Sequence, residues 1–99
     1  MGNGIKSARF LIDSRLADAA RGDSDALYDL GICYSTGTAG VDIDLVEAHK
    51  WFNLASIAGL ETAQACRTEI AEDMTAREIA EAQRQARAWL GKTQQRRAA

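Results

Sequence analysis

The sequence has no proline and few aromatic residues, which make up 6% of its 99 positions. Alanine and leucine are plentiful and β-branched residues are scattered, so the composition favours helices over sheets. No apolar run approaches the roughly 18 residues that would span a bilayer. No apolar segment near the first residue is typical of a secretory signal. We therefore expect a soluble, helical protein in the cytoplasm.

Metal ligands are scarce. The chain has one histidine and two cysteines, with no Cys-x-x-Cys pair, so it lacks the ligands of a zinc site. We expect no metal and no cofactor. Cys33 and Cys66 fall in different predicted helices, where two buried, reduced thiols are the favoured state. A disulfide between neighbouring helices is the alternative.

The chain also lacks an excess of positive charge. Its 12 Lys and Arg residues against 14 Asp and Glu residues give a net charge of −2. Nucleic-acid-binding proteins usually carry a clustered basic surface. Here the end of the chain, with Lys92, Arg96 and Arg97, is the one locally basic stretch. We interpret it as a solvated end and expect no nucleic-acid partner.

Apolar residues recur at helical spacing along most of the chain and predict five helices in a single domain. The predicted helices span residues 5–21, 24–36, 44–58, 61–73 and 76–90. Gly22, Gly59 and Gly91 are predicted to end the first, third and fifth helices, because glycine tolerates the left-handed conformation of a C-terminal cap.

The helix starts carry acidic or hydroxyl side chains. Asp23 is the predicted N-cap of the second helix. Asp44 with Glu47 resembles a capping box, and Thr75 with Glu78 is one of the usual type.

A turn with two glycines, Gly37-Thr38-Ala39-Gly40, separates the second and third helices. No Gly-Lys-Ser/Thr follows it, so we interpret it as a connector with positive φ angles and not as a phosphate-binding loop. Val41 and Ile43 are predicted to pack beneath the two helices that it joins.

Gly31 lies inside the second helix, where glycine costs about 1 kcal/mol relative to alanine. We therefore expect another helix backbone to come very close to it. The third helix has an inward face formed by Ala48, Trp51, Phe52 and Ala55. Its alternation of small and bulky residues predicts close packing against the Gly31 side of the second helix.

The residues around this turn share one spacing pattern. They are Gly22, Asp23, Ala26, Leu30, Gly31, Tyr34, Gly37, Gly40, Val41, Asp44, Ala48, Trp51, Ala55, Gly59 and Ala63. The pattern resembles the Sel-1-like repeat, a relative of the tetratricopeptide repeat, except that the family usually has one residue between the loop glycines and this chain has two. The resemblance implies an all-α fold, a short right-handed α/α superhelix of antiparallel hairpins. It also implies a role as a protein-interaction scaffold, often bacterial.

An internal repeat supports this interpretation without the family. Gly22 recurs as Gly59 and Ala26 as Ala63, at one and the same interval, as in helical-hairpin repeats. We predict one domain over residues 1–99. It comprises an N-terminal capping helix (5–21), a full repeat (22–59), a degenerate second repeat with a cap (60–91) and a flexible tail (92–99).

The sequence gives little indication of catalytic activity. His49 is the one imidazole, and its helical position turns it away from the inward face, which predicts an exposed side chain. No Ser-x-x-Lys motif is present. We therefore predict a protein that is not an enzyme.

The first helices of stacked hairpins line the inner curve, which leaves a candidate partner face on the second and fourth helices. Its residues are Asp25, Tyr28, Asp29, Ile32, Ser35, Ala65, Glu69 and Glu72. One aromatic, one aliphatic and several acidic groups favour a protein or peptide partner with apolar anchors and basic flanks. The alternative is that Tyr28 and Ile32 merely pack on the first or fourth helix.

A second functional class is a structural unit that forms a homodimer. The Phe10-Leu11-Ile12 face of the first helix or the Trp89-Leu90 end of the fifth would then cover an exposed end of the solenoid.

Overall fold

A computed structural model describes the backbone of residues 3–98 and the side chains of residues 9–94. The described chain forms five α-helices and no strand. They are α1 (Asn3–Ala20), α2 (Ser24–Thr36), α3 (Leu45–Ile57), α4 (Glu61–Ala71) and α5 (Ala76–Ala98). The predicted all-α fold with five helices is confirmed.

The N-terminal caps of α2 and α5 lie where the sequence predicts them. The Asp23 carboxylate accepts hydrogen bonds from the backbone N–H groups of Asp25 and Ala26, and Gly22 has a φ of 87°. Thr75 and Glu78 bond each other's backbone N–H groups at 2.8 and 3.1 Å, which is a complete capping box. These local hydrogen bonds determine where the helices begin.

The connector between α2 and α3 has positive φ angles, as predicted. Gly37, Ala39 and Gly40 have φ values of 70°, 57° and 81°. Val41 packs against the core. The prediction for Ile43 is wrong, because its side chain is 63% exposed. Cγ1 of Ile43 lies against the turn itself, 3.0 Å from the position that a Cβ at Gly37 would take, so this side chain packs on the connector and not beneath the two helices.

The core is organised around α3, which packs against α2, α4 and α5, while α1 packs against α2. The buried residues of α3 are Ala48, His49, Trp51, Phe52, Leu54 and Ala55. Because three helices surround α3, nearly its whole circumference is buried.

Gly31 contacts a side chain and not a helix backbone. A Cβ built on Gly31 would lie 2.5 Å from Cδ1 of Phe52. The close approach predicted at Gly31 is therefore present, but the neighbour is the Phe52 ring. The structure corrects the expected backbone contact.

Trp51 is buried against α5. Its ring packs edge-to-face on Trp89 with centroids 4.8 Å apart, and its Nε1 donates a hydrogen bond to Glu47 at 2.9 Å. Glu47 also accepts a bond from Lys50. The Glu47 carboxylate does not accept a hydrogen bond from the Asp44 backbone N–H. The Asp44 carboxylate does accept one from the Glu47 backbone N–H, so only half of the capping box is formed.

The predicted end of α5 at Gly91 is wrong. The helix continues to Ala98, so residues 92–98 are helical and not a frayed tail; Ala99 lies outside the described residues. Gly91 stays helical because good helix formers flank it. Thr93 is buried in the next turn, where its hydroxyl donates to the Trp89 carbonyl at 2.9 Å.

Substituting Gly31→Ala tests the contact with Phe52. Overpacking of a filled site costs about 1–3 kcal/mol, whereas alanine gains about 1 kcal/mol over glycine in a helix. We expect a net loss of up to about 2 kcal/mol in the free energy of unfolding, measured with urea.

Gly91→Ala is the matched control, because no atom lies within 4 Å of a Cβ at that position. It should leave stability unchanged or raise it by up to about 1 kcal/mol. Equal effects of the two substitutions would show that Gly31 is not a close contact.

Candidate functional site

Tyr28 joins α2 to α3 and α4 at the candidate partner face. Its half-buried ring lies 5.6 Å from the Phe52 ring, centroid to centroid, at an interplanar angle of 54°. Its hydroxyl lies 3.8 Å from Sγ of Cys66 on α4. The pKa of Tyr28 is raised above 10.0. The main cause is its hydrogen bond with Cys66, followed by electrostatic repulsion from Cys66 and by the burial of Tyr28 itself. Both cysteines are free.

Two other α2 residues of this face, Asp29 and Ile32, lie towards α1. Asp29 forms an ion pair with Arg15 at 3.0 Å. Ile32 is half-buried and lines a cavity of about 180 Å³ with Leu11 and Ile12. Ser35 is also half-buried, and its hydroxyl donates to the Ile32 carbonyl at 3.1 Å. Asp25 is exposed in the first turn of α2.

The α4 residues of this face are exposed. Glu69 and Glu72 border a shallow depression together with Glu61 and Ala65. No described side chain forms an ion pair with any of these three carboxylates. They therefore give α4 an uncompensated negative surface.

The cavity beside α1 and the depression on α4 have no residue in common. The Tyr28–Cys66 contact is what connects the two sides. The structure thus brings Tyr28 next to α4 and Ile32 next to α1, as in the alternative in which both residues pack on neighbouring helices. It leaves Asp25, Glu69 and Glu72 open to solvent.

His49 is buried, and its predicted exposure is wrong. The side chain is 3% exposed, and Nδ1 is buried without a hydrogen-bond partner. Burial, and secondly the positive charge of Arg67 on α4, lower the pKa of His49 below 6.5. The prediction failed because it assumed one buried face. The signal that it passed over is the apolar character of α3 nearly all round, which is typical of a helix surrounded by others.

The sequence did not predict an apolar groove that lies where α1, α2, α3 and α5 meet. Its volume is about 260 Å³, and Leu27, Leu54, Ile57, Trp89 and Leu90 are among its lining residues. Ile57 is exposed. The groove depends on the continuation of α5 past Gly91, because Thr93 and Gln94 also line it.

Two classes of site have no candidate in the described chain. No group of three or more His, Cys, Asp or Glu side chains among those residues has the arrangement of a metal site. No described helix is long and apolar enough to cross a bilayer.

Comparison with known proteins finds no matching family model, no significantly similar curated protein and no significantly similar solved structure.

We expect removal of the Tyr28–Cys66 contact to change the titration of Tyr28. Cys66→Ala removes the hydrogen bond that raises the pKa of Tyr28, so that pKa should fall towards 10.0. The Tyr28 ring resonance in an NMR titration measures it, and Tyr28→Phe assigns the resonance. Cys33→Ala should leave it unmoved; an equal shift in both cysteine variants would contradict the contact.

Proposed function

We propose that this protein is a non-enzymatic interaction module of the Sel-1-like class, which binds a partner protein or peptide through α2 and α4. The observation that carries the proposal is the contact of Tyr28 with Cys66 between two helices that expose Asp25, Glu69 and Glu72, none of which has an ion pair with a described side chain. We propose the cytoplasm as the compartment. Both cysteines are free, and a reducing compartment keeps thiols in that state.

The charges of this surface support a basic partner. Asp29 is neutralised by Arg15, but Asp25, Glu69 and Glu72 are exposed and have no ion pair with a described side chain. Unpaired carboxylates around a binding surface attract Lys and Arg side chains and speed association at low salt.

The exposure of Tyr28 and Ile32 supports the proposal that the partner has an apolar anchor. Both are half-buried, so each has part of its surface in the core and part available for contact. Tyrosine is favoured at interfaces because its ring supplies apolar area and its hydroxyl stays hydrogen-bonded. We therefore propose a peptide with an apolar anchor flanked by Lys or Arg.

Two packing contacts and the internal repeat support the proposed Sel-1-like class. Gly31 and Phe52 form the tight contact between α2 and α3, and Trp51 connects α3 to α5. The Gly22–Gly59 and Ala26–Ala63 correspondence supports a second, degenerate repeat, whose helices α4 and α5 both pack against α3.

A peptide-display selection tests the proposed partner chemistry. Selected peptides should share an apolar residue flanked by Lys or Arg. Glu69→Lys should weaken their binding by about tenfold at low salt, since one charge reversal at an interface costs about 1–2 kcal/mol. Raising the salt concentration should reduce this difference.

Asp42→Lys is the matched control, because Asp42 is also exposed and lies in the connector before α3. It makes the same change of charge away from the proposed face and should leave binding unchanged. Equal losses in the two variants, or selected peptides without basic residues, would contradict the proposed face.

A homodimer is the second candidate, and one observation favours it. Phe10 and Leu11 are 70% and 48% exposed on α1, a helix whose main packing partner is α2. Adjacent exposed apolar side chains of this size are typical of an interaction surface. Ile12 of the same predicted face is buried and serves the core.

Light scattering across a dilution series tests this candidate. A dimer should dissociate on dilution, and Phe10→Asp should make the protein monomeric at all concentrations. Ile43→Asp, at another exposed apolar residue, should leave the dimer intact. A mass that is monomeric at every concentration would exclude self-association.

A further inference from the structure

Helix α4 buries little of its own side-chain surface. Its one buried residue is Ala63, and no side chain caps its N-terminus. It packs mainly against α3. One side-chain hydrogen bond joins these two helices in the described chain, from Nη1 of Arg67 to Oδ1 of Asn53 at 2.6 Å. Elements with so little buried surface are the ones that open first in folded proteins.

His49 lies on α3 one helical turn before Asn53. Its side chain is 3% exposed and Nδ1 has no partner. A neutral imidazole is the form that tolerates this site, because a buried charge without a counter-ion is far more costly than a buried neutral ring. Arg67 makes the positive form worse still, because it brings a like charge to the ring.

The other titratable groups that surround α3 have different partners. On α2, the Tyr28 hydroxyl contacts Cys66, and the acidic groups that act on Tyr34 are Glu47 and Asp44. On α5, Glu81 is paired with Arg84. On α3 itself, Glu47 accepts from Lys50 and Trp51. Among the described groups, Arg67 of α4 is the charge that acts on His49.

We propose that His49 is an acid-sensitive contact between α3 and α4: uptake of a proton places a second positive charge beside Arg67 in a buried interface and releases α4 from α3. Like charges repel, and the repulsion is stronger at a buried group such as His49 than in open solvent. The release does not depend on any partner. It would nevertheless separate Cys66 from Tyr28, and so divide the proposed binding face in acid.

The direction of the pH dependence follows from the pKa of His49. Burial and Arg67 hold it below the ordinary value of 6.5 in the folded protein. Below pH 6.5 the unfolded chain therefore binds the proton first. The stability contributed by the neutral ring is complete above that pH and is lost as the pH falls through 6.5 towards the folded-state pKa.

The composition makes the loss of stability below pH 6.5 easy to measure. His49 is the one histidine in the chain, and ordinary Asp and Glu side chains titrate near pH 4. A change in folding equilibrium that begins just below pH 6.5 can therefore be assigned to a single imidazole, whose NMR resonance reports its own titration.

Urea unfolding of the wild type and of His49→Gln, at pH values from 7.5 downwards, tests the proposal. The wild-type folding equilibrium constant should fall below pH 6.5 with a limiting slope of about tenfold per pH unit, which corresponds to one proton. His49→Gln does not titrate and should lose that slope. Comparing slopes keeps the test valid even if the glutamine changes overall stability.

Two further measurements locate the effect. Arg67→Gln should raise the pKa of the imidazole resonance, because it removes the like charge. Hydrogen exchange, corrected for its intrinsic pH dependence, should show α4 amides losing protection in acid before those of α2. Equal slopes in wild type and His49→Gln, a folded-state pKa at or above 6.5, or simultaneous loss of protection in both helices would overturn the proposal. None of these outcomes bears on peptide binding at neutral pH, which tests the proposed function separately.

Discussion

The Phe52 ring against Gly31 is the contact on which the rest of the fold depends. Phe52 is almost fully buried, and its ring occupies the space that any side chain at position 31 would need. This brings α3 close to α2, and α3 is also the helix against which α4 and α5 pack. Burial of the core side chains supplies most of the folding free energy, but the missing Cβ at Gly31 determines how closely the two helices approach.

A helix surrounded on three sides must satisfy its polar side chains within the protein. On the side that faces α5, α3 does so: Glu47 accepts hydrogen bonds from Trp51 and Lys50, and the Lys50 ammonium lies 4.6 Å from the Trp51 ring centroid. Near α4 it does not, because Nδ1 of His49 has no partner. Such exceptions are rare in folded proteins.

The candidate surfaces differ in what they expose. The α2–α4 face combines a half-buried tyrosine with exposed carboxylates that have no ion pair among the described side chains, which suits a charged partner bound reversibly. The exposed part of α1 is apolar, with Phe10 and Leu11, which suits association with another apolar surface. Both surfaces exist because a short stack of helices has more outer faces than its own core can cover. The two proposed functions are therefore physically compatible with one fold, and they use different helices.

Local hydrogen bonding and periodicity were sufficient to predict the five helices, the Asp23 and Thr75 caps and the positive φ angles of the 37–40 turn, because each depends on residues a few positions apart. The candidate face could be predicted only in part. Tyr28 and Ile32 were predicted as its central residues, but whether they contact a partner or pack towards Cys66 and Ile12 depends on helices distant in the sequence.

What the sequence determined by itself is the set of helices and most of their ends, since backbone conformation responds to neighbouring side chains. The tertiary structure decided two things that periodicity could not: that Phe52 is the neighbour of Gly31 and that His49 is buried. In each case the deciding atoms belong to another helix or another turn. A helical pattern shows which residues share a face, but only packing determines how many faces are covered.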